Sequence, residues 1–329
     1  MNTGLKAGLF IGVMLLLFGC SASEEEIEAL NAELESASRL NIALGEVEGV
    51  NYAGGTAICV ALKKSGSSLP CKLMASEGYK QNILAVGAGQ VDLALVRADS
   101  AYLAWHGKKP YKERNTKLRV LLSLHYEMVT LLTDSDSKIL SFMQIPGNRI
   151  NVGSKKANNG RLLSKLLRHC QIPSKTFSRK KSNLLPELLV KGEVDGGFDF
   201  STHPSESLQI LTDEKDLNFL PITGQCVENY VDEAPYMDFV NIPGGIYNGV
   251  AADIPTIGSK VWLVTHKDIS DAVAYDVVKA IFSDIEQIRR KEPAFYRLSP
   301  RKMLGSFIIP YHVGAVQYFI EKGWYREGR

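Results

Sequence analysis

No apolar run in these 329 residues is long enough to span a membrane. A spanning helix needs about 20 residues, and the strongest candidate, Leu9–Phe18, has ten. Charge of one sign is missing as well: 38 Lys and Arg stand against 36 Asp and Glu, a net +2. With no basic stripe interleaved with aromatics, nothing argues for nucleic acid as a partner. The five cysteines include no C-x-x-C pair, which removes the basis for zinc or dithiol chemistry. His106, His125, His169, His203, His266 and His312 are scattered without ligand spacing and read as surface or satisfied core residues. G-x-S-x-G, H-E-x-x-H and a Walker loop are absent, and the glycines of Val86-Gly87-Ala88-Gly89 precede a strand instead of opening a helix. Neither catalysis nor a cofactor nor a metal is expected.

What is present begins with Lys6, the apolar Leu9–Phe18, and then Gly19-Cys20. A short apolar core ending at a small residue fits a secretory signal peptide. Leu17-Phe18-Gly19-Cys20 resembles a bacterial lipobox, which implies a signal peptide over 1–19 and a lipid on Cys20; cleavage nearby without lipidation would export the protein equally. Residues 20–39 form an acidic tether, in which Ser23 and Glu26 make a capping box ahead of Ile27, Leu30 and Leu34 at helical spacing. Cys59, Cys71, Cys170 and Cys226 remain, and an oxidising compartment permits three full pairings among them. Cys59–Cys71 is the most local pair, leaving Cys170–Cys226; free buried thiols are the other reading.

A composition of 45% hydrophobic and 22% charged residues is that of a folded protein, with length for two domains. From Leu40 the pattern is α/β. Strands are expected at 40–44, 71–75, 91–96, 150–152 and 257–264, and near Thr176 and Phe219. Helices are expected at 55–64, 80–86, 100–105 and 160–169, with one long helix from Asp271 to about Arg290. Near-continuous apolar strands between helices indicate parallel strands covered on both faces. One unit recurs: a helix, a Gly suited to its C-cap, x-Val-Asp and a strand, at Gly89-Gln90-Val91-Asp92 and again at Gly192-Glu193-Val194-Asp195. The expected fold is therefore α/β with two lobes, each with a parallel-cored sheet. The first lobe takes 40–134 plus 255–329, and the second, with the hinge return, takes 135–254. Two such lobes leave a ligand cleft at the strand ends.

Polar and aromatic residues collect where strands end. Tyr52 precedes Gly54-Gly55 in a loop feeding the first helix, Glu77-Gly78-Tyr79 fills the loop after the second strand, and Asn158-Asn159 opens a second-lobe helix. Arg97 closes its strand and can clamp a carboxylate with two parallel hydrogen bonds; the alternative is an internal salt bridge to Glu77 or Asp99.

These blocks resemble the TAXI-type solute receptors that serve TRAP (tripartite ATP-independent periplasmic) transporters. The resemblance rests on Asn82-Ile83-Leu84 with Gly89–Asp99 and Ala101-Tyr102, Arg119–Leu124, Val152-Gly153, Ile242–Tyr247, Asp253–Gly258 and Ile309–Ala315, in order over nearly all of residues 40–323. It implies a two-lobed periplasmic-binding-protein fold that closes over a small organic acid or amino acid and hands it to membrane transport subunits. It also implies that Tyr52 and Tyr247 lie near the ligand. Gly78-Tyr79-Lys80 stands where the family often has Gly-Gly-Ser, Arg97 where Gln is common, and Ala157-Asn158-Asn159 where Ser-Gly-Thr is common. The expected ligand-binding set is Tyr52, Glu77, Gly78, Tyr79, Arg97, Asn158, Asn159 and Tyr247. Competing roles are ligand sensing for a membrane signalling partner and, further off, an exported enzyme.

Overall fold

The computed structural model describes residues 39–325, apart from positions 48, 68, 156, 176 and 306, together with Ser23. The signal peptide, Cys20 and the rest of the acidic tether lie outside the described residues, as does Thr176. No helix among the described residues is long and apolar enough to cross a membrane.

The first stretch lays down β1 (Leu40–Ala43), α1 (Val50–Lys64), β2 (Cys71–Met74), α2 (Tyr79–Gly87), β3 (Leu93–Arg97) and α3 (Ala98–Trp105). β1 pairs in parallel with both β2 and β3, and every residue of β3 is buried, as its unbroken apolar sequence requires. Then comes β4 (Leu118–Asp134), a strand of 17 residues. The middle of the chain supplies β5 (Ile150–Asn151), α4 (Asn158–His169), α5 (Leu185–Val190), β6 (Gly196–Ser201), α6 (Glu206–Glu214), β7 (Leu217–Leu220), α7 (Gln225–Glu233) and β8 (Asp238–Ile242). The 13-residue β9 (Ile254–His266) follows, then α8 (Asp271–Ser283), α9 (Ile285–Lys291), α10 (Pro300–Met303) and α11 (Val313–Glu321).

Hydrogen bonding joins these strands into one nine-stranded mixed sheet, in the order β2-β1-β3-β9-β4-β6-β5, with β7 paired to β4 and β8 to β9. The two parallel-cored ends are linked by the antiparallel pair β4 and β9, which runs through both. At about 3.3 Å per residue, each of these strands is long enough to serve two cores. Leu121 and Leu122 of β4 and Val261 and Leu263 of β9 pack with Leu95, Ile281 and Phe319. Further along the same strands, Val129, Leu131 and Ile257 pack with Phe142, Leu163 and Phe198. Between the cores the pairing slips, with register shifts between Val120 and Leu122 and between Ser123 and Tyr126. Such bulges bend a strand and re-aim its side chains. Here the second of them falls on the stretch Ser123-Leu124-His125-Tyr126-Glu127.

The recurring unit has a structural basis. Gly89 and Gly192 both adopt positive φ (70° and 65°), the left-handed turn that glycine makes at no steric cost. The aspartate three residues on then does the same work twice. Asp92 accepts from the Asn41 amide at 2.7 Å, and Asp195 accepts from the Arg149 amide at 2.8 Å, each tying the loop to a neighbouring parallel strand. The cysteines pair as Cys59–Cys71, which staples α1 to β2, and Cys170–Cys226, which staples the end of α4 to α7.

Two expectations need correction. α1 begins at Val50, not 55, so Tyr52 is helical. Gly54-Gly55 does not interrupt the helix but lets it approach the core, since a Cβ on Gly55 would sit 2.5 Å from the Leu44 side chain. The long helix expected from Asp271 is two helices, α8 and α9, separated at Asp284, whose carboxylate takes the Lys64 ammonium at 3.0 Å.

Candidate functional site

The sheet's turn from one core to the other leaves a cleft of about 780 Å³. One wall is built from the end of β1 and the starts of α1 and α2: Gly45, Glu46, Asn51, Glu77, Gly78 and Tyr79. The opposite wall comes from the end of β6, the loop after it and the starts of α4 and α6: Asn159, Phe200, Ser201, Thr202, Ser205 and Glu206. His125 and Glu127, from the bulged stretch of β4, also line it. The starts of α1, α2, α4 and α6 carry no side-chain cap.

Behind the wall lies a buried ionic network centred on Arg97, whose side chain is wholly inaccessible. Its Nε and Nη2 donate to the two oxygens of Asp99 at 2.7 and 3.1 Å, a bidentate fork. Its Nη1 donates to Glu127 Oε2 at 2.6 Å and to Asn159 Oδ1 at 2.7 Å. The guanidinium also lies over the Phe200 ring, 4.1 Å from its centroid. Burial disfavours its charge, but Asp99 and Glu127 more than offset that and hold its pKa above the ordinary value. The Tyr79 hydroxyl donates to the other oxygen of Glu127 and accepts from Asn51 Nδ2 at 3.0 Å. Burial, then the charge of Glu127, push the Tyr79 pKa well up, so the phenol stays protonated. Burial likewise raises the pKa of Asp199, deeper in β6.

The eight sequence candidates separate into two groups. Glu77, Gly78, Tyr79 and Asn159 line the cleft together. Arg97 sits behind them, with every nitrogen engaged. Its carboxylate partner is Asp99, joined by Glu127; Glu77 is solvent-exposed, and its amide caps onto Gln81 Oε1 at 2.7 Å. Asn158 turns the other way, toward Arg161 and Ser100, on a small separate pocket shared with Asp99 and Tyr236. Tyr52 packs half-buried against the core of β1 and α8. Tyr247 is buried, stacked on Phe219 at 5.1 Å; its hydroxyl meets His203 Nδ1 at 2.5 Å and accepts from the Ser205 amide at 2.8 Å. It therefore acts on the cleft through Ser205, which lines it.

Sequence reasoning missed His125, Glu127, Asn51, Phe200 and the Ser201–Ser207 loop. The available signal was the polar interruption His125-Tyr126-Glu127 inside a long apolar strand. His125 is 4% exposed, and neither ring nitrogen has a partner among the described residues. Burial lowers its pKa from 6.5 to about 3. The folded state thus binds this proton less readily than the unfolded chain, and stability is full above pH 6.5 and falls as pH drops toward 3. Urea unfolding at about pH 7.5 and pH 5 is expected to differ by about 2 kcal/mol through this residue. The difference should shrink by that amount in His125→Leu; an equal pH dependence in the variant would remove His125 as its source.

Residues 42–323 match the sequence model of the NMT1-like family. Among solved structures, PhnD1 from Prochlorococcus marinus in complex with methylphosphonate superposes with a TM-score of 0.52 at 11% identity, covering 88% of this chain and 99% of that one. A putative L-cystine ABC transporter protein from Listeria monocytogenes gives 0.45 at 15% identity (79% and 97% covered). The periplasmic aliphatic sulphonate binding protein SsuA from Escherichia coli gives 0.45 at 11% (77% of each). At these identities the likeness concerns the fold, which is that of two-lobed periplasmic binding proteins.

Proposed function

The chain belongs to the NMT1-like family, and from that premise we propose that it is an extracytoplasmic solute receptor. It binds a small organic acid or amino acid in the cleft between its lobes and delivers it to the membrane subunits of a TRAP-type secondary transporter. The observation that carries this reading is the cleft itself, lined by His125 and Glu127 of β4, one of the two strands that link both cores, and walled by loops on either side. Closure by bending across β4 and β9 would bring the Gly78-Tyr79 wall toward the Ser205-Glu206 wall, a hinge motion biased by a ligand that touches both. On this reading the first lobe takes 40–134 with 255–329 and the second takes 135–254; the apolar clusters change over in the same two strands, between Leu124 and Val129 of β4 and between Ile257 and Val261 of β9. In this reading Tyr79, Asn159 and the Glu77-Gly78 turn touch solute, while Arg97, Asn158, Tyr52 and Tyr247 hold the walls that do. The leader exports the chain, and a lipid on Cys20 keeps it at a membrane surface. Binding, not turnover, is its role.

The coupling is tested in membrane vesicles containing the transport subunits and free of ATP. An imposed ion gradient is expected to drive solute uptake only when the receptor is added. Uptake that needs ATP and ignores the gradient would overturn the TRAP assignment.

A further inference from the structure

A line of side-chain contacts runs from the first lobe to the second behind the cleft wall. It begins at Arg97, the last residue of β3, whose Nη1 donates at 2.7 Å to the Oδ1 of Asn159 in the first turn of α4. Phe200 of β6 covers the same guanidinium, its ring centroid 4.1 Å away. The line continues along α3. Ser100 Oγ accepts from Asn158 Nδ2 at 3.5 Å, and the Tyr102 ring lies 5.2 Å from that of Tyr236. Tyr236, in the loop before β8, packs against apolar residues of both lobes.

The ionic part of this seam does not need the second lobe. Asp99 follows Arg97 on α3 and Glu127 lies on β4, so the guanidinium keeps both carboxylates whatever the second lobe does. Its complete burial is different. Asn159 and Phe200 come from the second lobe, and moving them away would return one face of the guanidinium to water and break a hydrogen bond to a charged donor. The Tyr102–Tyr236 contact, reached through α3, would part with it. Bending across β4 and β9 therefore cannot proceed at constant energy: the seam favours one lobe angle over the others.

Resting on the receptor reading above, we infer that this seam is a built-in clasp that holds the solute-free protein at one narrow lobe angle, and that the lobes separate only when Arg97 parts from Asn159 and Phe200 and Tyr102 from Tyr236. A charge-assisted hydrogen bond and an aromatic pair, lost together, keep the separated form a minor state. The clasp thus sets how often the cleft opens to admit or release solute.

The test measures the distance between two spin labels on the purified, dialysed protein. The labels sit at Lys80→Cys on α2 and Ile210→Cys on α6, exposed positions in helices whose starts line the two walls, in a Cys20→Ser background. With the seam intact, one narrow distance distribution is expected. Asn159→Ala removes the acceptor and should raise the long-distance fraction about tenfold. Tyr236→Leu, outside the cleft lining, should raise it about threefold. Both variants keep the Arg97–Asp99–Glu127 network, so native circular dichroism should persist. A broad distribution in the labelled parent, or variants that retain its narrow one, overturns the clasp. This readout needs no solute, so the receptor reading fails separately, if the parent protein binds nothing from a mixture of amino acids, amines and organic acids.

Discussion

Arg97→Ala is expected to destabilise the protein by about 3–5 kcal/mol in urea unfolding, because removing one partner of a buried ionic group leaves the others uncompensated. The Arg97 side chain is fully inaccessible, and its partners Asp99 and Glu127 keep only 7% and 14% of their side-chain surface. Deleting the guanidinium strands two carboxylates and the Asn159 oxygen, and it also removes the cation lying over Phe200. Arg97→Lys should recover part of the loss. A single ammonium can neutralise the charge but cannot reproduce the bidentate fork to Asp99 while reaching Glu127 and Asn159. Had Arg97 been a free clamp for a ligand carboxylate, its removal would weaken binding and leave folding almost untouched. A stability change below about 1 kcal/mol would restore that role and dissolve the network as a structural element.

The divergence over Arg97 indicates which features were legible in the sequence. Position and residue type were readable: an arginine closing an apolar strand, with Asp99 two residues on as one of its named alternatives. Glu127 was not, because it is 30 residues away and arrives only through the pairing of β4 with β9. Local signals held up well. The apolar runs of β1 and β3 became buried strands, and the repeated Gly-x-Val-Asp became two equivalent turns, because burial on both faces and positive φ are imposed by neighbours in sequence. Glycine misled at Gly54-Gly55, where its lack of a side chain answers the packing of Leu44 and Phe295 against a continuous helix. Tyr52 was consequently placed in a loop. The two disulfides form the pairing that local proximity favoured, although sequence alone left three pairings and free thiols open. The acidic character of the cleft was the least legible, since Glu46, Glu77, Glu127, Glu206 and Glu292 meet only after distant segments of the chain converge.

The second large effect concerns binding. Gly45 lies at the end of β1 in the cleft wall, and a Cβ there would meet only Asn51 Nδ2, at 4.0 Å. A side chain at this position therefore starts without a clash at its Cβ, and Gly45→Trp places an indole in the cleft wall. It should leave the native circular dichroism and disulfides unchanged while weakening solute binding by at least about 100-fold, about 2.7 kcal/mol. A solute held on the outer surface, or in the separate pocket near Asn158 and Tyr236, would be indifferent to it.

Native mass spectrometry of the wild-type protein and Gly45→Trp, each incubated with one mixture of amino acids, amines and organic acids, puts the cleft to the test directly. The expected spectrum shows a single small-molecule adduct on the wild type and none on the variant. An adduct of equal occupancy on both proteins, or no adduct on either, would contradict a solute receptor that works through this cleft.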